Sequence, residues 1–162
     1  MKNQLERYSE HFDFKSIETF EDACERLDLD PSNLPNLSAI PKRFKKPLIA
    51  LYKLMIVAEA INDSWIPDFG NLNQEKFFPI FEINTAGRDF LNCKNSSVKN
   101  VTRSSSFLCF QTQDKAFYMS TQFTELFKDY LLIHRSRVDP SVFTEQDPAK
   151  QIIVRSRHGM YH

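Results

Sequence analysis

The spacing of apolar residues predicts two helices in the first half of the chain. Thr19 is a typical N-cap with Asp22 three residues later, and apolar residues then recur at helical spacing up to 30–32, where Asp-Pro-Ser ends the helix. A stronger apolar pattern with three-to-four spacing covers residues 48–62. Pro47 lacks a backbone donor, so we expect it to begin a new helix or to kink a longer one.

The middle of the chain predicts two strands, a long loop between them, and a helix. Residues 76–83 are rich in aromatic and β-branched side chains and predict a strand, in which Pro79 favours an edge position or a bulge. Residues 84–105 are polar and predict a loop, and residues 106–112 predict the second strand. After Gln113, one apolar face at helical spacing predicts a helix of about 18 residues.

These elements predict an α+β fold, with a small antiparallel sheet packed against two or three helices and a polar C-terminal tail. We expect an N-terminal arm at 1–15, one α+β domain at 16–133 and the tail at 134–162, where 152–154 could add a short strand. The apolar positions of the strongest elements should be largely buried. They are Leu51, Met55, Phe81, Phe110, Phe123 and Phe127.

The charge along the chain is balanced overall but uneven near its start. The net charge is zero, so no global field attracts nucleic acid or an anionic membrane. Residues 1–40 carry four Lys/Arg against nine Asp/Glu, whereas residues 41–62 carry five against one. This bipolar distribution is compatible with a docking surface, and equally with pairing of the acidic segment onto the basic helix.

The basic cluster at 42–46 is the strongest candidate binding site in the sequence. Its members are Lys42, Arg43, Lys45 and Lys46. They lie near a helix start, where the macrodipole already favours negative charge, so an anion would relieve the repulsion. That anion could be a phosphate backbone or the acidic N-terminal residues, while a solvated or internally paired face is the competing interpretation. Two Arg-Ser-Arg triplets offer further phosphate contacts through Arg135, Arg137, Arg155 and Arg157.

The sequence carries no recognisable catalytic, cofactor or metal motif. The nearest metal candidate, His158 with His162, has no third ligand nearby. No nucleophile elbow, phosphate-cradling glycine loop or zinc-protease helix motif is present, and the chain has three glycines in total. We therefore predict a protein that is not an enzyme, with no metal and no cofactor. Aromatic rings fall on both faces of the 76–83 strand, which favours core packing over stacking on bases.

Cysteine usage and hydropathy predict an intracellular protein without a membrane partner. The sequence shows no apolar stretch near 18 residues and no signal-peptide hydrophobic region. Cys24 and Cys109 sit within apolar patterns, where a free cysteine acts as a small hydrophobe.

Six segments within residues 16–133 carry a resemblance to other proteins, and in order along the chain they are 20–24, 48–54, 58–62, 77–82, 108–110 and 122–130. These segments resemble an uncharacterised protein family of Bacteroides-group bacteria, their phages and mobile elements. The resemblance implies a phage or mobile-element setting and no biochemical activity. The chain departs from the family pattern at Pro47, in the loop 84–105 and after Ile133.

Together these observations give one leading functional hypothesis and one alternative. The leading hypothesis is a non-enzymatic protein-interaction module encoded by a phage or mobile element, as a virion component or a host-directed accessory protein. It would lie in the host cytoplasm or the virion and bind a protein partner or a second copy of itself. The alternative is a nucleic-acid-binding protein that uses the basic cluster.

Overall fold

The computed structural model describes residues 12–84, 89–98 and 106–132, and in these residues four helices accompany two paired strands. The helices are α1 (Phe20–Leu27), α2 (Lys42–Asn62), α3 (Gln113–Gln122) and α4 (Thr124–Leu131), and the strands are β1 (Lys76–Ile83) and β2 (Phe90–Val98). Short 3-10 turns at Phe14–Ser16 and Ser106–Leu108 precede α1 and α3. The chain thus has a small mixed α/β fold, in agreement with the coarse class that the sequence predicts.

α1 begins with the cap that the sequence predicts. The hydroxyl of Thr19 accepts a hydrogen bond from the backbone N–H of Asp22 at 3.1 Å, and the Asp22 carboxylate accepts one from the N–H of Thr19 at 2.8 Å. Two orphan donors of the first turn are satisfied in this way. The hydrogen bonds with Thr19 lower the pKa of the Asp22 carboxyl.

α2 continues through Pro47 instead of beginning after it. The helix starts at Lys42 and keeps Pro47 inside. The hydrogen bond that the proline removes would have gone to the carbonyl of Arg43, an exposed residue of the first turn. Water can satisfy a carbonyl at that position, so the helix tolerates the proline there.

The second strand lies where the sequence predicts a loop. β1 pairs antiparallel with β2, with Phe81 opposite Cys93. The predicted strand at 106–112 is wrong, because these residues form a 3-10 turn and then one isolated bridge. In that bridge Phe110 donates to the Phe77 carbonyl at 2.9 Å, and Phe77 donates back to the Phe110 carbonyl at 3.0 Å.

Two short helices replace the single helix predicted after Gln113. Phe123, with φ −106° and ψ 27°, separates α3 from α4. The hydroxyl of Thr124 donates to the carbonyl of Ser120 at 2.7 Å, a back-bonding contact that bends helices. The break leaves both Phe123 and Phe127 buried.

The start of the described chain is attached to α3. The ring of Phe14 packs edge-on against Tyr118, with ring centroids 5.5 Å apart. The Tyr118 hydroxyl lies 2.9 Å from the carbonyl oxygen of Lys15 and 3.0 Å from that of Ile17. Residues 14–17 therefore close one side of the core.

The hydrophobic core lies between α1, α2 and the α3–α4 pair. Of the expected core residues, Phe110, Phe123 and Phe127 are buried, which confirms three of the predictions. Leu51, Met55 and Phe81 are less completely covered than these three, since they are half-buried, and Leu51 and Phe81 pack against the core. The fully buried positions of α2 and β1 are occupied by neighbouring residues instead. They are Leu54, Val57, Ala58, Ile61 and Phe78.

Candidate functional site

The predicted basic cluster forms the first turn of α2. Lys42, Arg43 and Lys46 are exposed, and Lys45 is half-buried. This end of α2 has no side-chain cap and no acidic residue in its first turn, whereas α1 and α3 both begin with a capping threonine. The positive end of the helix dipole is therefore combined with four cations and no anion on the same turn.

One member of the basic cluster is held by an ion pair. The Nζ of Lys46 lies 2.6 Å from Oδ1 of Asp129 in α4. The guanidinium carbon of Arg43 lies 4.6 Å from the centre of the Phe44 ring, in the geometry of a cation–π contact. Across the described residues, the other three cluster cations form no ion pair, so the acidic side chains of 12–40 do not neutralise them there.

An apolar strip lies exposed beside these cations. Phe44 is 46% exposed and Leu48 is 39% exposed, and their i,i+4 spacing places them on one side of α2. Tyr52, one turn further, is covered: its ring centroid lies 6.5 Å from that of Phe20, and its hydroxyl lies 3.5 Å from the Asn33 carbonyl. We use the name basic–apolar face for the surface formed by Lys42, Arg43, Phe44, Lys45 and Leu48.

The remaining residues singled out from the sequence lie outside the described residues. They are Arg135, Arg137, Arg155, Arg157, the His158–His162 pair and the strand expected at 152–154. Within the described ranges, no three His, Cys, Asp or Glu side chains converge in a way that could hold a metal ion. None of the helices described there is long and apolar enough to cross a membrane.

Comparison with known proteins finds no relative of this chain. No protein-family model, no curated protein and no solved structure matches the chain. The family resemblance of the sequence therefore stays a prediction.

A second candidate site, which the sequence analysis missed, is a cleft of about 310 Å³ at the C-terminal end of α2. We call it the polar cleft. Its lining residues are Phe12, Asn62, Asp63, Ser64, Trp65, Gln111 and Lys115. The sequence indicates only that a helix ends near residues 62–65. Nothing in the sequence indicates that Gln111, more than 45 positions later, lies beside Asn62 and completes a cleft there.

Asp63 closes α2 in a backbone conformation that side-chain-bearing residues rarely adopt. Its φ is 58° and its ψ is −124°, a geometry that costs about 1–3 kcal/mol and persists only where neighbouring contacts impose it. One such contact is visible: the Asp63 carboxylate lies 2.7 Å from the guanidinium of Arg26 in α1. Arg26 in turn lies 4.2 Å above the ring of Phe12. The charge of Asp63 is therefore balanced inside the fold.

Lys115 brings a partly desolvated ammonium group to the polar cleft. It sits in the first turn of α3, where its backbone N–H donates to the capping hydroxyl of Thr112 at 3.2 Å. Its Nζ donates to Oε1 of Gln111 at 3.3 Å. Burial lowers the pKa of the Lys115 ammonium, and the nearby Asp63 carboxylate opposes that shift. A long hydrogen bond to a neutral amide compensates poorly for lost hydration, so an anion would stabilise this charge.

Proposed function

We propose that this protein is a non-enzymatic interaction module whose basic–apolar face binds an acidic, amphipathic segment of a partner protein. The observation that carries the proposal is the exposure of Phe44 and Leu48 next to three cations that form no ion pair within the described part of the chain. The antiparallel β1–β2 pair and the helices serve as the scaffold that presents this face.

The exposed apolar side chains of the face favour a protein as the binding partner. Phenylalanine and arginine are both enriched at protein interfaces relative to the rest of the protein surface. Here Arg43 lies over the Phe44 ring, so both side chains are pre-arranged before any partner arrives. Leu48 extends the same strip by one turn and gives the partner a second apolar contact.

The charged half of the face supports an acidic partner. Lys42, Arg43 and Lys45 surround the strip, and the uncapped start of α2 adds the positive end of its dipole. Acidic side chains around an apolar stripe would match this pattern and increase the association rate. In the setting implied by the sequence resemblance, the partner belongs to a phage particle, a mobile element or the host.

A labelled synthetic helix with leucines on one face and glutamates on the other tests the proposal. We expect micromolar binding by fluorescence anisotropy at ~150 mM salt. A Phe44→Ser/Leu48→Ser double variant should weaken binding by about tenfold or more, because both apolar contacts are lost. The matched control is Ile66→Ser/Phe117→Ser, which removes two exposed apolar side chains elsewhere and should bind as the unmodified protein does.

Nucleic acid is the alternative ligand of the same cations. Micromolar binding of duplex DNA at ~150 mM salt, abolished by neutralising Lys42, Arg43, Lys45 and Lys46 but unaffected by Phe44→Ser/Leu48→Ser, would contradict the proposal. Each lost phosphate contact should then reduce the log–log salt slope by about 0.9. A dimer in sedimentation that dissociates in the Phe44→Ser/Leu48→Ser variant would instead assign the face to a second copy of the chain.

A further inference from the structure

We propose that residues 66–75 form a second interaction surface, which binds an apolar patch bordered by lysines or arginines on a partner protein. We use the name acidic–apolar loop for these residues. The loop follows the C-terminal end of α2, whereas the basic–apolar face lies at the N-terminal end of the same helix. The 21 residues of α2 span about 30 Å, so the two surfaces are separate.

Hydrogen bonds across the acidic–apolar loop fix its shape. The side chain of Gln74 spans the loop, since its Oε1 accepts the backbone N–H of Asp68 at 2.6 Å and its Nε2 donates to the carbonyl of Ile66 at 3.4 Å. The Oδ1 of Asp68 also accepts the backbone N–H of Gly70 at 2.9 Å, in a tight turn closed by a side chain. The two ends of the loop are therefore held together.

A buried lysine fixes the base of the acidic–apolar loop. Lys76 is fully buried, and its Nζ donates to the carbonyl of Gln74 at 2.8 Å and to that of Asn71 at 3.2 Å. The same Nζ lies 5.4 Å from the centre of the Phe69 ring. Complete burial of a lysine is rare, because removing its charge from water is unfavourable. The contacts that compensate this burial also order the loop before any partner binds, which lowers the ordering cost of binding.

The ordered loop nevertheless exposes two aliphatic side chains. Ile66 is 78% exposed, more than any other large apolar side chain in the described residues, and Leu72 is 57% exposed. Asp63, with its rare backbone conformation, lies three residues before Ile66. A buried lysine, two exposed aliphatic side chains and an unusual backbone conformation thus occur within one short segment. Local features that oppose folding are typical of functional sites.

The charges of the acidic–apolar loop favour a basic partner. Asp68 and Glu75 are exposed, and neither forms an ion pair with another described residue. Residues 64–75 contain no lysine or arginine, and Lys76 is buried. Lysines or arginines around an apolar patch would therefore complement the loop, whereas acidic residues there would be repelled. The same charges disfavour an anionic membrane surface.

A labelled synthetic helix with leucines on one face and lysines on the other, and without tryptophan, tests the proposal. We expect saturable binding by fluorescence anisotropy at ~150 mM salt. Trp65, the single tryptophan of the chain and the neighbour of Ile66, should change its emission on binding. An Ile66→Ser/Leu72→Ser variant should weaken binding by about tenfold or more. The Phe44→Ser/Leu48→Ser variant removes two exposed apolar side chains at the other end of α2 and should bind as the unmodified protein does.

The contribution of the acidic side chains is measured in the same assay. Asp68→Asn/Glu75→Gln should weaken binding several-fold and reduce its dependence on salt, because the complementary charges are lost. Glu21→Gln/Glu25→Gln is the matched control, since it removes the same charge from exposed positions of α1 and should have little effect.

Several results would contradict the proposal. Absence of saturable binding, or unchanged binding in Ile66→Ser/Leu72→Ser, would show that the acidic–apolar loop is not the site. Equal losses in the two charge variants would indicate non-specific attraction. Binding of zwitterionic lipid vesicles that requires Ile66 and Leu72 would assign the loop to a membrane, and an oligomer that dissociates in Ile66→Ser/Leu72→Ser would assign it to a second copy of the chain. The basic helix and the acidic helix are different ligands, so failure of one test is distinguishable from failure of the other.

Discussion

The side chain of Asn62 donates a 2.7 Å hydrogen bond to the carbonyl oxygen of Cys109 and so joins the last residue of α2 to the segment that leads into α3. Asn62 is 7% exposed, and its Oδ1 accepts the backbone N–H of Gln111. A buried amide is stable only when its donors and acceptors are paired. This side chain therefore fixes the position of the α3 start relative to the end of α2.

Replacing Asn62 by alanine should destabilise the protein by about 1–3 kcal/mol, because the buried carbonyl of Cys109 loses its donor. Urea denaturation followed by circular dichroism measures the change in the free energy of unfolding. Asn73→Ala, at an exposed asparagine, is the matched control and should stay within about 0.5 kcal/mol. Equal effects of the two substitutions would show that the Asn62 contact is not part of the stable fold.

Phe127 should be one of the most sensitive positions of the core. It is buried, and its ring centroid lies 4.6 Å from that of Phe81 on β1, so it joins α4 to the strand pair. Phe127→Ala should lower the free energy of unfolding by about 3–5 kcal/mol. Phe117→Ala removes the same side chain at a site that is 53% exposed and should change stability little. Similar melting temperatures for both variants would contradict the placement of α4.

The thiol of Cys109 should resist alkylation in the native protein. Burial raises its pKa to about 12, although the charge of Lys76 acts in the opposite direction, so almost no thiolate exists near pH 8. Peptide mapping after iodoacetamide treatment should show labelling of Cys109 only when urea unfolds the chain. Rapid labelling without denaturant would contradict this prediction.

The same raised pKa has a consequence for stability at alkaline pH. The folded state keeps the Cys109 thiol protonated, whereas the unfolded chain releases the proton above pH 9.0, its unperturbed value. This contribution to stability is therefore present below pH 9 and is lost as the pH rises toward about 12. A Cys109→Ala variant should lack that part of the alkaline loss of stability, measured by urea denaturation at a series of pH values.

Lys115 should give the opposite pH dependence. Burial lowers the pKa of Lys115 in the folded state. Between this lowered pKa and the unperturbed value of 10.5, the unfolded chain therefore binds more protons than the native one. Stability from this group therefore rises with pH in that window. Lys115→Met should raise the melting temperature at pH 7, with the gain shrinking as the pH approaches 10.5. Lys42→Met, at an exposed lysine, serves as control. A lower melting temperature for Lys115→Met at pH 7 would mean that the charge is stabilised in the fold.

The sequence by itself determined the elements whose signals are local. The capping box at Thr19 and Asp22 marked the start of α1, and the apolar periodicity before Asn62 marked the C-terminal half of α2. The aromatic and β-branched run at 76–83 marked β1. In each case the information lies in neighbouring residues, because caps and side-chain periodicity act over one or two turns or along one strand.

Only the tertiary structure decided the elements that depend on distant partners. β2 is a polar segment that becomes a strand through backbone hydrogen bonds with β1, and backbone groups leave no trace in the side-chain pattern. The helix predicted after Gln113 is interrupted at Phe123, although its apolar spacing continues through Phe127 without a break. A hydrogen bond joins Asn62 to Cys109, and the polar cleft places Lys115 near Asp63, although the residues of each pair are more than 45 positions apart. Such contacts form only when the folded chain brings the segments together, so no local pattern encodes them.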